Sequence, residues 1–121
     1  MMRAPFALAA ALLTIPAFAQ QPPGPALNVE QRMLLRCSAA FAIVVNQQQA
    51  GQAEAGRWPD LSVRGREFFV RSSARLMDET GMDRAQTATL LAQEAQAMVR
   101  ARQVDQVMPP CLQVLDASGI E

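Results

Sequence analysis

The stretch N-V-E-Q-R-M-L-L-R-C-S-A-A-F-A-I-V-V-N-Q-Q-Q-A-G, Asn28 to Gly51, decides the fold class. Asn28 carries a side-chain oxygen that can cap a helix, and Gln31 stands three positions on, where a capping box needs it. Behind this cap Met33, Leu34, Cys37, Ala40, Phe41, Val44 and Val45 recur by threes and fours, the period of one helix face. Leu35, Ala39, Ala42 and Ile43 add a second apolar set, so the helix is greasy on most sides and belongs at the centre of a bundle. Gln47, Gln48 and Gln49 make its end polar, and Gly51 offers a left-handed stop.

Working toward the C-terminus, Gly51 to Pro59 reads as the longest loop, and Asp60 or Ser62 can start a second helix that runs to Thr80 and stops at Gly81. Leu61, Phe68, Ser72 and Leu76 form one apolar line, with Phe69, Ser73 and Met77 beside it. Opposite lie Arg64, Glu67, Arg71, Arg75 and Asp78, unlike charges spaced to pair along a solvated face. Gly65 in the first turn costs about 1 kcal/mol relative to Ala, so either a neighbour packs tightly against it or the helix starts loosely. Asp83 and Gln86 form another capping pair. The third helix should bury Ala88, Leu91, Ala92, Ala95, Met98 and Val99 and end near Gln103. Met108-Pro109-Pro110 predicts an extended step, because a residue before proline avoids the helical region. A short fourth helix then runs from Cys111 to Ala117 and stops at Gly119. No repeat or β-alternating run interrupts this pattern. The expectation is an all-α fold, a small bundle of three helices plus a short C-terminal fourth, with residues 28–119 as one domain.

Toward the N-terminus the chain changes character. Arg3 precedes the apolar run F-A-L-A-A-A-L-L-T-I (Phe6 to Ile15), which is too short to span a bilayer. Ala17-Phe18-Ala19 supplies the small-x-small pattern of a signal peptidase site, so residues 1–19 read as a signal peptide cleaved between Ala19 and Gln20. The implied localisation is periplasmic or secreted, with no transmembrane span left after cleavage. Q-Q-P-P-G-P opens a proline-rich, flexible lead-in over residues 20–27.

Composition removes whole classes of chemistry. The chain of 121 residues has no His and no Tyr, and all eleven of its basic residues are Arg. Ser-His-Asp and Cys-His catalysis, His-ligated zinc and lysine Schiff bases therefore have no residues to work with. Eleven acidic residues balance the eleven arginines, so no strong field favours nucleic acid. No cofactor or metal is expected. The expectation is that the protein is not an enzyme.

Two cysteines in an exported chain allow one disulfide, Cys37 to Cys111. They form no C-x-x-C, and no His or Lys stands by to depress a thiol pKa, so the bond reads as a structural staple. Closing a loop of about 75 residues should stabilise by up to about 4–5 kcal/mol in the chain-entropy model.

Other residues are candidates for contact. Arg64, Arg71 and Arg75, in a locally basic segment, could present guanidinium forks to an anionic partner, against the plainer reading of a solvated helix face. Trp58, before Pro59, is either an exposed apolar contact or a cap over the end of the core. Asp78, Glu79 and Asp83 near Gly81 do not match a calcium loop, and helix capping accounts for Asp83. Met33, Met77, Met82, Met98 and Met108 read as core filling.

R-G-R-E-F-F-V-R-S-S-A-R-L-M-D-E-T-G (Arg64 to Gly81), R-C-S-A-A-F-A (Arg36 to Ala42) and V-M-P-P-C-L (Val107 to Leu112) together resemble small exported proteins of sphingomonad-type alphaproteobacteria. The resemblance implies a signal peptide, two cysteines and helices, and it carries no catalytic or binding residue over. A looser likeness, in architecture alone, is to small helical periplasmic acid-stress chaperones with one disulfide. The expected function is that of a non-enzymatic periplasmic helical protein, an interaction or envelope-associated module whose partner is a periplasmic protein or an anionic envelope component. The alternative is a holdase-like periplasmic stress chaperone, for which the Phe68-Phe69 pair is the sequence hint.

Overall fold

The computed structural model of the chain describes residues 26–121; the expected signal peptide and most of the proline-rich lead-in lie outside the described residues. Four helices make up the fold: α1 (Val29–Gln49), α2 (Arg64–Thr80), α3 (Arg84–Arg100) and α4 (Val104–Ala117), with a short 3-10 turn, Ala53–Arg57, between the first two. One disulfide, Cys37–Cys111, links α1 to α4. Among the described residues there is no strand.

α1 is the hub, packed against α2, α3, α4 and the 3-10 turn. Its capping box forms as the sequence implies: the Gln31 N–H donates to Asn28 Oδ1 at 2.8 Å and the Asn28 N–H donates to Gln31 Oε1 at 3.0 Å. Leu34, Leu35, Cys37, Ala39, Ala40, Phe41, Val44 and Val45 are all buried, so both apolar sets are used. At its far end Gly51, with φ of 68°, closes a Schellman turn in which Gly51 and Gln52 donate to the carbonyls of Gln48 and Gln47.

α2 begins at Arg64, later than Asp60 or Ser62. Asp60 spends its carboxylate on a local turn instead, accepting from the Ser62 N–H at 2.9 Å, and Val63 stands at the cap without a side-chain bond. That Ser62 N–H, and secondarily the Ser62 side chain, hold the Asp60 carboxyl below its usual range. Gly65 is buried, and a Cβ built there would lie 2.9 Å from Leu61 Cβ and 3.5 Å from Phe41 Cβ. The glycine therefore marks a tight fit against the preceding Leu61 turn, with α1 in ordinary contact behind it, rather than a loose start.

α3 starts at the expected Asp83–Gln86 box, with bonds of 2.9 and 2.8 Å. Its buried line differs from the one expected. Thr87, Leu91 and Met98 face inward and Ala95 is half-buried, while Ala88, Ala92 and Val99 are exposed. The helix is turned by about one position because Thr87 can be buried without loss: its hydroxyl donates to the Asp83 carbonyl at 2.9 Å.

The larger correction concerns the break between α3 and α4. It lies at residues 101–103, not at Met108-Pro109-Pro110, and α4 runs straight through both prolines. α3 ends in a second Schellman turn built on Arg102, whose φ is 54°; the Arg102 and Gln103 N–H groups donate to the carbonyls of Val99 and Met98. Each proline removes a bond to the carbonyl four residues back, at Asp105 and Gln106, and both of those residues are exposed, so water can replace the missing donors. Burial of Val107, Met108 and Cys111 on the other side holds the segment helical. Cys111 consequently lies in the middle of α4 rather than at its start.

The main core gathers Phe41, Val44, Leu61, Phe68, Met98, Met108 and Leu115 around α1, with Ile120 folded in beyond α4. Phe41 and Phe68 meet edge to face, with ring centroids 5.2 Å apart. That geometry adds about 0.5–1.5 kcal/mol to the burial itself. A smaller cluster of Leu35, Leu76, Met82 and Leu91 closes the end where α2 turns into α3. α3 and α4 are consecutive, yet they have no substantial packing on each other.

Candidate functional site

A groove of about 860 Å3 runs between the N-terminal half of α1 and α4, with Glu94 of α3 at its edge. Its apolar lining comes from Leu27, Val29, Met33, Val107 and Val114, over the Cys37–Cys111 bond. Val29 is 75% exposed and Met33 38%, so large apolar groups face solvent here. Met33 thus departs from the core-filling expectation, whereas Met82, Met98 and Met108 are buried.

The cysteines beneath the groove are each 2% exposed, with Cα atoms 5.2 Å apart. This separation is the usual one for a disulfide, so neither helix has to move to make the bond. Thiol chemistry would require a reductant to reach a buried bond, and a structural staple is what the position supports.

Charged groups rim the groove. Arg36 is committed to Glu94 on α3 at 3.5 Å and to Gln103 Oε1 at 3.2 Å. The Arg32 guanidinium, one turn earlier and exposed, has no ion pair or hydrogen bond among the described residues.

The arginines of α2 have internal work. Arg64 reaches α4, bonding Asp116 at 3.0 Å and the Ile120 carbonyl at 3.0 Å. Arg71 pairs with Glu67 on its own helix. Arg75 bridges Glu79 at 3.1 Å and, across to α1, Glu30 at 2.9 Å; these two carboxylates raise its pKa above the usual value. The structure therefore sets Arg64, Arg71 and Arg75 along one helix, each already facing an acid. The Glu67–Arg71 pair was legible from its spacing; Arg75 takes Glu79 where the spacing offered Asp78, and the bridges to Asp116 and Glu30 depend on how the helices meet.

Trp58 is half-buried and packs against the main core, with the Arg57 guanidinium 5.4 Å from its ring. The loop that carries it is clamped by a residue that sequence reasoning passed over. Gln48 Nε2 donates to the Pro59 carbonyl at 2.8 Å, and Gln48 Oε1 accepts from the Leu61 N–H at 3.2 Å. The signal was helical phase: Gln48 continues the line of Val44, one turn on.

Phe68 is 2% exposed and Phe69 is half-buried against the smaller cluster, so the pair serves the interior. Of the three acids near Gly81, Asp83 caps α3 and Glu79 pairs with Arg75, and among the described residues no group of three or more potential metal ligands comes together. No described helix is long and apolar enough to cross a membrane. No protein-family model, characterised protein or solved structure matches the chain.

Proposed function

We propose that the chain is an exported, non-enzymatic interaction module of the periplasm, binding a protein or an anionic envelope component through the groove between α1 and α4. The observation that carries this reading is the groove itself, where Val29 and Met33 stay exposed although the other large apolar residues of α1 are buried or half-buried. Single exposed apolar residues are ordinary; several lining one concavity mark a contact site. The disulfide supports an oxidising compartment, and the apolar run from Phe6 to Ile15 followed by Ala17-Phe18-Ala19 supports export, with a mature N-terminus at Gln20. The arginine line of α2 is the weaker surface for an anionic partner, because Arg64, Arg71 and Arg75 would each have to leave an acid already in place.

Photo-crosslinking in the native envelope tests the reading. A photoreactive residue at Met33 or Val114 should give discrete adducts, and one at Asp78 on the solvated face of α2 should not. Equal labelling from all three positions, or none from any, would refute it.

A further inference from the structure

We propose that the groove takes a single-chain anionic amphiphile, an acyl chain ending in a carboxylate. The inference rests on the groove being the working surface and adds the class of ligand.

The argument starts from the outward face of α1. Val29, Arg32, Met33 and Arg36 recur at i, i+3, i+4 and i+7, so apolar and cationic groups alternate along one exposed stripe. A chain lying in the groove meets Val29, Met33 and Val114 along its length. The volume of about 860 Å3 lies within the range, roughly 300–1,000 Å3, of sites that hold small molecules.

The charges then select the head group. Two arginines and one glutamate line the groove, and Glu94 is already matched by Arg36, so one positive charge remains, on Arg32. A guanidinium fork holds a carboxylate through two parallel hydrogen bonds. A non-ionic head would gain nothing from Arg32, and an ammonium head would be repelled by it. A second copy of the chain is the less suitable occupant, because placing Arg32 against its own symmetry mate would oppose like charges at the centre of the contact.

The test is calorimetric titration of the disulfide-intact exported protein with dodecanoate, dodecyl maltoside and dodecylammonium, each below its micelle concentration. Dodecanoate should bind one to one, and the other two at least about tenfold more weakly. Arg32→Gln should weaken dodecanoate about tenfold or more and leave the maltoside unchanged. Val29→Asp should weaken both, while Arg66→Gln, at an exposed arginine on α2, should change neither. All three residues are exposed, so circular dichroism melts of the variants should match the parent.

Equal affinity for the three head groups, or an equal loss from Arg66→Gln, would overturn the proposal. So would a sedimenting dimer that Val29→Asp dissociates, since the groove would then be a self-contact. Absence of dodecanoate binding while crosslinks from Met33 persist would remove the amphiphile and leave the interaction module; absence of both would remove both.

Discussion

Gln48→Ala tests whether one side chain holds the whole segment from Gly51 to Leu61 on the bundle. The carboxamide makes its two shortest bonds at 2.8 Å to the Pro59 carbonyl and at 3.2 Å from the Leu61 N–H, and Nε2 also reaches the Ala55 and Trp58 carbonyls at 3.3 and 3.5 Å. Each contributes about 0.5–1.5 kcal/mol net, and because Pro59 is exposed, water can serve its carbonyl in the variant. The expected cost is therefore about 1–2 kcal/mol, or roughly 4–8 °C of melting temperature per kcal/mol in a domain of this size. Leu61 is fully buried, so its end of the loop should stay anchored while the Trp58 end loosens. Trp58 is the single tryptophan, and its emission should move to the red and become more open to acrylamide quenching. Gln48→Glu adds a second reading. It keeps the acceptor for Leu61 but turns a carboxylate toward the Pro59 carbonyl, which raises the folded-state pKa of that carboxyl. Stability relative to the parent should then be highest below the unfolded value, about 4.3, and fall as pH rises through the folded one. Gln47→Ala and Gln49→Ala are the controls. If either shifts Trp58 emission as much as Gln48→Ala does, the clamp is a property of the polar run and the reasoning fails.

Gly65→Ala should destabilise by about 1–3 kcal/mol in thermal melts despite alanine's better helix propensity, because the new Cβ meets Leu61 Cβ at 2.9 Å; a stabilised variant would refute the close approach. Arg102→Gly should raise stability by about 1 kcal/mol in urea titration, since it relieves a left-handed residue at a Schellman turn, and a loss would show that the arginine side chain does more than occupy the turn. Asp60→Ala should lose stability relative to the parent above the unfolded pKa of about 3.8, with the difference vanishing as pH falls through the depressed folded-state value; a pH-independent difference would deny the turn its charge. Replacing both cysteines, Cys37→Ala with Cys111→Ala, should cost up to about 4–5 kcal/mol, and a cost below about 1 kcal/mol would mean that packing alone holds α4 to α1.

What the sequence made legible was what neighbouring residues decide among themselves. The Asn28 and Asp83 caps, the apolar period of α1 and the Glu67–Arg71 pair of α2 each need only a few adjacent residues, and each forms as read, whereas Arg75 pairs with Glu79 rather than Asp78. The α3–α4 break was misplaced because two local rules lost to tertiary burial. Pro109 and Pro110 argue against a helix, yet the buried row Val107, Met108, Cys111 and Leu115 runs through them and outweighs the lost bonds. Arg102 argues against a stop, since nothing in an arginine announces a left-handed turn, whereas the same turn on Gly51 was plain. Gln48 was hidden among three glutamines of identical type, and only its phase relative to Val44 separates it from its neighbours. The groove could not be read locally, because its lining joins α1 to α4, far apart in sequence.

The misplaced break and the groove have one origin. Because the chain turns at Arg102 rather than at Met108, α4 gains Val104 to Pro110 and grows long enough to lie along α1 and line the groove. A bundle would ordinarily secure such a helix by filling the space between it and α3 with side chains, at native packing density. Here the disulfide adds to the burial of Val107, Met108 and Leu115 against α1: it fixes α4 to α1 at a Cα separation of 5.2 Å directly beneath the groove. Cross-linking thus reinforces packing at the edge of the concavity. For a small domain with a modest core, this arrangement keeps an apolar surface open to solvent without loosening the helices that carry it. On this reasoning the staple and the candidate binding surface are parts of one device, the buried sulfurs holding α4 in place beside the apolar lining of the groove.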